Sequence, residues 1–438
     1  MLLRTTERQI EWVEMHYTDV VGRLRSTSVP YGDSERPLVA RVDGSSVGIS
    51  DISDSDAVLV ADVSTLSHIP WSSGWGRVVC DIYRDVKFRH PVDSRLVTQK
   101  LEEYLKGSGV EALVGVEVEF FVFKSLKATF IPPVSAGYRI ELVDRAGARL
   151  LSNYQVASDS LRSYRAELVD TLSKFFSVKV SGHHHEVASS QLEINIDAGN
   201  PTKIADSIQT VKYVAKSLAE LRGFKAVFMP KPLCYENGSG THVHVSLWRG
   251  PRNLFYDDSD RNGLSQTARY FIGGLLYHIR ALAALVAPTV NSYRRLVPGF
   301  ESPVYSVWGY RNRSAAVRVP LVYGEKHARV EFRPPDPTAN PYLAIAAIVM
   351  AGLDGIRKSI DPGNPLNESA YELPRVPKER RLPSSLTEAL GELLSDSDFL
   401  KPVFTDELLE RYVEAKEKEA IEVIAAPSPI EFLKYHDF

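Results

Sequence analysis

Residues 114–123 read Val-Gly-Val-Glu-Val-Glu-Phe-Phe-Val-Phe, and they constrain the fold more than any other part of the chain. Such a β-branched and aromatic run predicts a buried strand. Alternate side chains of a strand share a face, so Glu117 and Glu119 point the same way into a largely apolar setting. Two carboxylates side by side repel, and burying either one alone is costly. A cation, a basic partner or a shared proton must compensate. The alternative is a solvated pair on an edge strand.

The pattern recurs in three more segments. In 191–195, Gln191, Glu193 and Asn195 share a face; in 241–247, His242, His244 and Ser246 do so opposite Val243 and Val245; in 329–333, Arg329, Glu331 and Arg333 do so. Exposed strand faces favour Thr, Lys and Ser, whereas these carry carboxylate, imidazole and guanidinium groups. If the four strands are neighbours in one curved sheet, the groups converge. Glu117, Glu119, Glu193, Glu331, His242 and Glu186 would then form an oxygen-rich set suited to hard cations, Mg²⁺ or Mn²⁺, and large enough for two or more. Zinc fits less well, with no cysteine in the set and no His-Glu-x-x-His. The run His183-His184-His185 before Glu186 is also readable as a surface cluster. Divalent ions beside Arg and Lys point to phosphoryl transfer from ATP. The chain contains neither the Gly-x-x-x-x-Gly-Lys-Ser/Thr loop nor a Gly-x-Gly-x-x-Gly after a strand.

A length of 438 residues, 44% hydrophobic and 24% charged, predicts a folded protein of two or three domains. The net charge of −3, with no long basic run, argues against nucleic acid as a partner. Cys80 and Cys234 offer no disulfide framework. The N-terminus lacks a signal-peptide pattern, and the longest apolar helical stretch, around residues 281–288, is too short for a membrane span, so the cytoplasm is the expected location and no membrane partner is expected. Residues 6–93 read as a small strand-rich domain and 94–438 as the rest. Thr6 with Gln9 suggests a capping box for a first short helix. Strands are expected at 12–18 and 23–29 around a turn at 19–22, then at 58–62 and 78–82, with a turn at Asp43-Gly44-Ser45-Ser46. Helical periodicity covers 94–106, 161–176, 204–221, 267–286, 341–358 and 406–425. Asn340-Pro341 and Ser385 with Glu388 read as helix starts.

At this point the residues resemble a known family, glutamine synthetase of class I type, over nearly the whole length. The motifs are Asp43-Gly44-Ser45-Ser46, Ser55-Asp56, Gly115-Val116-Glu117-Val118-Glu119-Phe120, His184-His185-Glu186-Val187-Ala188 with Glu193, and Met229-Pro230-Lys231-Pro232. Asn237-Gly238-Ser239-Gly240-Thr241-His242-Val243-His244 and residues 291–301, ending in Pro298-Gly299-Phe300-Glu301, follow. Arg311-Asn312-Arg313-Ser314 with Arg318, and 331–337, complete the series. The resemblance implies an α+β fold: a small β-grasp-like N-terminal domain and a catalytic domain with a curved, partly closed antiparallel sheet surrounded by helices. It also implies a homo-oligomer, a dodecamer of two stacked hexameric rings, with each site shared between neighbouring subunits. The implied reaction forms glutamine from glutamate, ammonia and ATP through γ-glutamyl phosphate, with two or three Mg²⁺ or Mn²⁺ ions per site.

The roles that the resemblance implies fall on specific residues. Glu119, Glu186 and Glu193 match ligands of one metal, and Glu117, His242 and Glu331 match ligands of the metal under the ATP phosphates. Arg313 and Arg318 resemble the groups that stabilise phosphoryl transfer. Arg295 and Arg333 resemble clamps on glutamate carboxylates, beside the glutamate-binding turn Asn237-Gly238. His244, Ser246, Lys326 and Arg329 stand at nucleotide-associated positions. Asp43, with Ser46 and Asp56, resembles the ammonium site, and Glu301 the flap residue that takes a proton. Ser181 stands where the family has a nucleotide-contacting Glu, Ser190 replaces a Gly, and 47–50 lacks an aromatic residue. Two alternatives share part of this pattern: a ligase joining glutamate to a polyamine or ethanolamine, and a non-catalytic homologue. Tyr371 lies near a position adenylylated in some members, but the residues after it do not match that context, so no modification is expected.

Overall fold

The computed structural model describes residues 9–32, 38–131, 135–144, 159–373, 376–426, 428, 429 and 431. Among these residues the strands build two sheets. The first comprises β1 (Trp12–Thr18), β2 (Leu24–Pro30), β3 (Val39–Asp43), β4 (Asp56–His68) and β5 (Trp75–Tyr83), in the order β2-β1-β5-β4-β3. β1 and β5 pair in parallel, and the other pairs are antiparallel. Val13, Met15, Leu59, Val78 and Ile82 alternate onto its buried face. Thr6 of the expected capping box lies outside the described residues, and 9–11 are not helical.

The second sheet holds β6 (Glu111–Ile131), β7 (Ser135–Leu142), β8 (Val180–His185), β9 (Gln191–Gly199), β10 (Lys225–Val227), β11 (Thr241–Arg249), β12 (Arg252–Asn253), β13 (Trp308–Tyr310), β14 (Val317–Val319) and β15 (Val330–Phe332). Its main path runs β13-β14-β15-β11-β6-β9-β8. The four segments expected to converge are therefore contiguous, as β15-β11-β6-β9. The strand expected at 329–333 is trimmed to its central three residues. Val114, Val116, Val118, Val243, Val245, Val330 and Phe332 carry the reverse face into the main core.

Helices pack on that face and on one another. They are α1 (Ser94–Gly107), α2 (Arg162–Phe175), α3 (Pro201–Leu221), α4 (Gln266–Tyr277), α5 (Ile279–Val286), α6 (Ser292–Arg295), α7 (Pro341–Lys358), α8 (Leu386–Ser395) and α9 (Asp406–Ile424). Asn340 caps α7 by accepting from the Tyr342 amide. Ser385 accepts from the Glu388 amide, and Glu388 reaches back to Ser384 rather than Ser385. The single helix expected over 267–286 is two. The break falls at His278, which is buried and carries Asp396 on Nδ1 at 2.7 Å and Asp354 on Nε2 at 2.9 Å. Those side-chain bonds come from distant segments, and local periodicity does not register them. Among the described residues no helix is long and apolar enough to cross a membrane.

The first sheet is fastened to the helices. Arg95 of α1 bonds Asp62, Asp81 and Asp206, and Asn340 donates to the Asp19 and Val20 carbonyls. At the same junction His90 is 3% exposed, and its Nδ1 accepts from the Val92 amide at 3.2 Å. Burial, reinforced by the Arg84 charge, pushes its pKa down to about 4. An imidazole with a lowered folded pKa opposes protonation, so stability is full above about pH 6.5 and is lost as pH falls toward 4. The loss should reach on the order of 3 kcal/mol. Unfolding by denaturant at pH 7 and pH 4.5 should show this decline, and His90→Asn should flatten it. An equal decline in the variant would remove His90 as the cause.

Candidate active site

One cavity of about 230 Å³ opens on the polar face of the second sheet. β6 supplies Glu117 and Glu119, β8 and its following turn supply His184 and Glu186, and β9 supplies Gln191, Glu193 and Asn195. The register explains why they meet. Glu119 lies opposite Glu193, and Glu193 lies opposite His184. Glu117 sits between Asn195 and His242, and His244 lies opposite Glu331. Each pair of neighbouring strands thus places its active groups side by side on one face.

Electrostatics divides the acids into two groups. Burial, and then the charges of Glu119 and Glu193, push the Glu186 carboxyl well above its ordinary range. Burial, and then Glu117 and Glu119, do the same to Glu193. Burial also opposes ionisation of Glu117, but hydrogen bonds to His242 at 2.9 Å and His244 at 3.0 Å outweigh it and hold its pKa low. Glu331 is fully buried, yet the guanidinium of Arg333 at 2.7 Å and the charge of His244 outweigh burial and hold its pKa at about 2. Arg318 binds its other oxygen.

His184 lies 3.3 Å from both Glu186 and Glu193, yet it only partly offsets the repulsion around them, which leaves room for the charge of a divalent ion. Donor atoms of His184, Glu186 and Glu193 lie within 4.8 Å of one another, as do those of Glu117, His244 and Glu331. His242 is 2.9 Å from Glu117 and 3.8 Å from Glu331, so both imidazoles stand beside the second set. The Glu119 carboxylate accepts from the Gly240 amide at 2.7 Å. An imidazole added to carboxylates still suits Mg²⁺ or Mn²⁺.

The remaining lining brings the positive charge. Arg295, Arg313, Arg318, Arg329 and Arg333 face the cavity with Asn237, Gly238, Phe300, Glu301 and Ser302. Arg295 is 2% exposed and donates to the Pro334 carbonyl at 2.8 Å, which fixes its fork. Gly238 admits no side chain: a Cβ there would stand 2.3 Å from the Pro230 oxygen and 2.9 Å from Arg295 Cγ. Glu301 has φ of 57°, a left-handed conformation in a non-glycine residue of the segment before β13. Its carbonyl accepts from Arg333 at 3.4 Å.

Several expected residues lie elsewhere in the chain's own structure. Asp43, Ser46 and Asp56 are exposed on the first sheet, away from the cavity lining. Hydrogen bonds from Ser45 and Ser46 hold the Asp43 pKa at about 2. Ser246 accepts from the Trp248 indole, and Lys326 is exposed; neither lines the cavity. His244 and Glu331 contact lining residues from just outside it. Ser181 is exposed and donates to the Asn195 carbonyl at 3.3 Å. His184, Gln191 and Asn195 line the cavity without having been assigned roles from sequence. The alternation of His184 with Glu186, two residues apart, was the available signal.

Models of two families match the chain: "Glutamine synthetase, beta-Grasp domain" over residues 9–85 and "Glutamine synthetase, catalytic domain" over residues 91–435. A glutamine synthetase of Sulfolobus acidocaldarius is 43% identical over 453 aligned positions, covering 98% of this chain and 96% of that protein. One from Rhizobium meliloti is 37% identical, covering 100% and 98%. Among solved structures, the Plasmodium falciparum glutamine synthetase superposes with a TM-score of 0.85 at 26% identity, covering 99% of this chain and 97% of that one. A structure described as "GmaS/ADP complex-Conformation 1" does so with a TM-score of 0.85 at 30% identity, covering 99% and 98%.

Proposed function

The chain belongs to the glutamine synthetase family, and from that premise we propose that it uses ATP to join ammonia to glutamate. One observation carries the reading: a single cavity gathers the carboxylates of β6, β9 and the turn after β8 together with five guanidinium groups. Phosphoryl transfer between two anions needs that much positive charge, supplied by arginines and bound ions together. A γ-carboxylate oxygen of glutamate attacks the terminal phosphorus of ATP, and the bond to ADP breaks. Ammonia then attacks the acyl carbon, the bond to phosphate breaks, and the nitrogen loses a proton.

The family uses a divalent metal, and the donor chemistry here fits one. Glu119, Glu186 and Glu193 would hold one Mg²⁺ or Mn²⁺, and Glu117, His242 and Glu331 another, within a total of two or three. Bound ions supply charge that offsets the phosphates and carboxylates. Arg313 and Arg318 bind the transferring phosphoryl group, for which a planar fork is suited. Arg295 and Arg333 orient the glutamate carboxylates beside Asn237 and Gly238. His244, Ser246, Lys326 and Arg329 serve the nucleotide side. Glu301 closes over the acyl phosphate, excludes water and accepts the proton. Asp43, Ser46 and Asp56 reach the cavity of a neighbouring subunit in a dodecamer of two stacked rings, where Asp43 binds ammonium. The subunit divides into an N-terminal domain through residue 93 and a catalytic domain from 94.

Phosphate release and product mass, measured with glutamate, ATP and a panel of amines, test the acceptor. Ammonium should give glutamine as the main product. Turnover with putrescine or ethanolamine and none with ammonium would refute the assignment. The two acidic residues of β6 also separate. Glu119→Gln should raise the metal concentration for half-activity about tenfold or more, whereas Glu117→Gln should act mainly on KM for Mg·ATP. The same defect in both variants would mean that the two carboxylates do not serve different ions.

A further inference from the structure

The turn between Glu186 and Gln191 is braced from behind by a set of buried polar groups that never reach the cavity. Ser190 is fully buried and has φ of 60°, a backbone conformation that favours glycine. Its hydroxyl is fully used. It accepts from the Val143 amide at 3.0 Å and the Asp144 amide at 3.1 Å, and donates to the Asp144 carbonyl at 3.1 Å. The Ser190 amide donates to the Asp144 carboxylate at 2.9 Å. That carboxylate also takes Nε2 of His185, 5% exposed, at 3.3 Å. On its other side, His185 Nδ1 lies 2.6 Å from the Glu186 carbonyl.

Both ends of the turn are thus tied to one residue beyond the end of β7. The front of the turn carries the groups that matter. The Glu186 amide donates to the Gln191 carbonyl at 2.8 Å. The Gln191 side chain donates to the Gly238 carbonyl at 3.0 Å and to Glu119 at 3.4 Å. We propose that Ser190, Asp144 and His185 are positioning residues that fix Glu186 and Gln191, and through Gln191 Glu119, at the ion site. The family has glycine at this position, which the backbone conformation favours; in this chain the serine hydroxyl adds three bonds that glycine cannot make, so the bracing proposed is a feature of this chain. This rests on Glu186 and Glu119 being metal ligands, as proposed above.

Ser190→Gly is the decisive substitution, since it relieves the backbone and removes only the hydroxyl's bonds. Binding of Mn²⁺ to the full-length protein is followed by electron paramagnetic resonance, with thermal unfolding and the KM for ATP measured in parallel. The glycine variant should melt within a few degrees of the unsubstituted protein. It should bind one class of Mn²⁺ about tenfold more weakly, with KM for ATP within about twofold. Asp144→Ala should weaken the same class at least as much. Unchanged Mn²⁺ affinity in Ser190→Gly overturns the proposal, as does a uniform loss of both ion classes and of ATP use. Glu186→Gln is the control for the premise: if it leaves every Mn²⁺ class unchanged, the ligand assignment fails, whatever the serine variant does.

Discussion

Replacing Arg313 by alanine should lower kcat for glutamine formation by about three orders of magnitude and leave the fold intact. The side chain is exposed, lines the cavity and makes no ion pair among the described residues, so its loss breaks no structural bond. Its charge is free to meet the equatorial oxygens of a phosphoryl group in transit, where a guanidinium contributes factors of roughly 10³–10⁵. Arg313→Lys should recover little, because an ammonium cannot bind two oxygens in a fixed fork. Steady-state kinetics at saturating glutamate and ATP, alongside a thermal melt, give the answer. A defect confined to KM, or one that lysine repairs, would place Arg313 outside the transfer step.

Glu331→Ala should be the most destabilising single change among the site residues. The glutamate is fully buried, and its two oxygens hold Arg333 and Arg318, whose side chains are 7% and 22% exposed. Removing it leaves Arg333 buried without its carboxylate, and breaking such a pair costs about 3–5 kcal/mol. The urea midpoint should fall accordingly, and glutamine formation should disappear. Glu331→Gln keeps the shape and one acceptor, so it should cost less stability while still abolishing activity. Equal urea midpoints for Glu331→Ala and the unsubstituted protein would show that solvent reaches the two guanidinium groups readily.

The parts legible in the sequence are those whose signal is local. Alternation of Glu, His or Arg with Val and Phe is complete within five residues, and it located β6, β9, β11 and β15 together with the face each presents. Capping at Asn340 and Ser385 is likewise set within a few residues. What escaped is set by distant contacts or by elements too short to carry a period. β13 and β14 have three residues each, although Arg318 rides on β14. β6 continues to Ile131, paired with β7, where the side chains, Leu126, Phe130 and Ile131 among them, are exposed instead of alternating into a core. The break at His278 depends on Asp354 and Asp396, 76 and 118 residues away. His184 was hidden in a run of three histidines. The exposed placement of Asp43 and Asp56 is a tertiary fact that strand patterns cannot carry.

The alternation along β6, β9, β11 and β15 has a consequence for quality control. On these strands every chemically active side chain is flanked by a residue of the main core. A slip of one position would drive Glu117, Glu119, Glu193, His242 and Glu331 into the hydrophobic interior and turn Val116, Val118, Ile194, Val243 and Val330 outward. No compact state can tolerate that exchange. A sheet that has formed its core therefore presents its carboxylates and imidazoles on the cavity side, and a slip of one position leads to an unfolded chain that proteases can remove rather than to a folded molecule with its active groups buried.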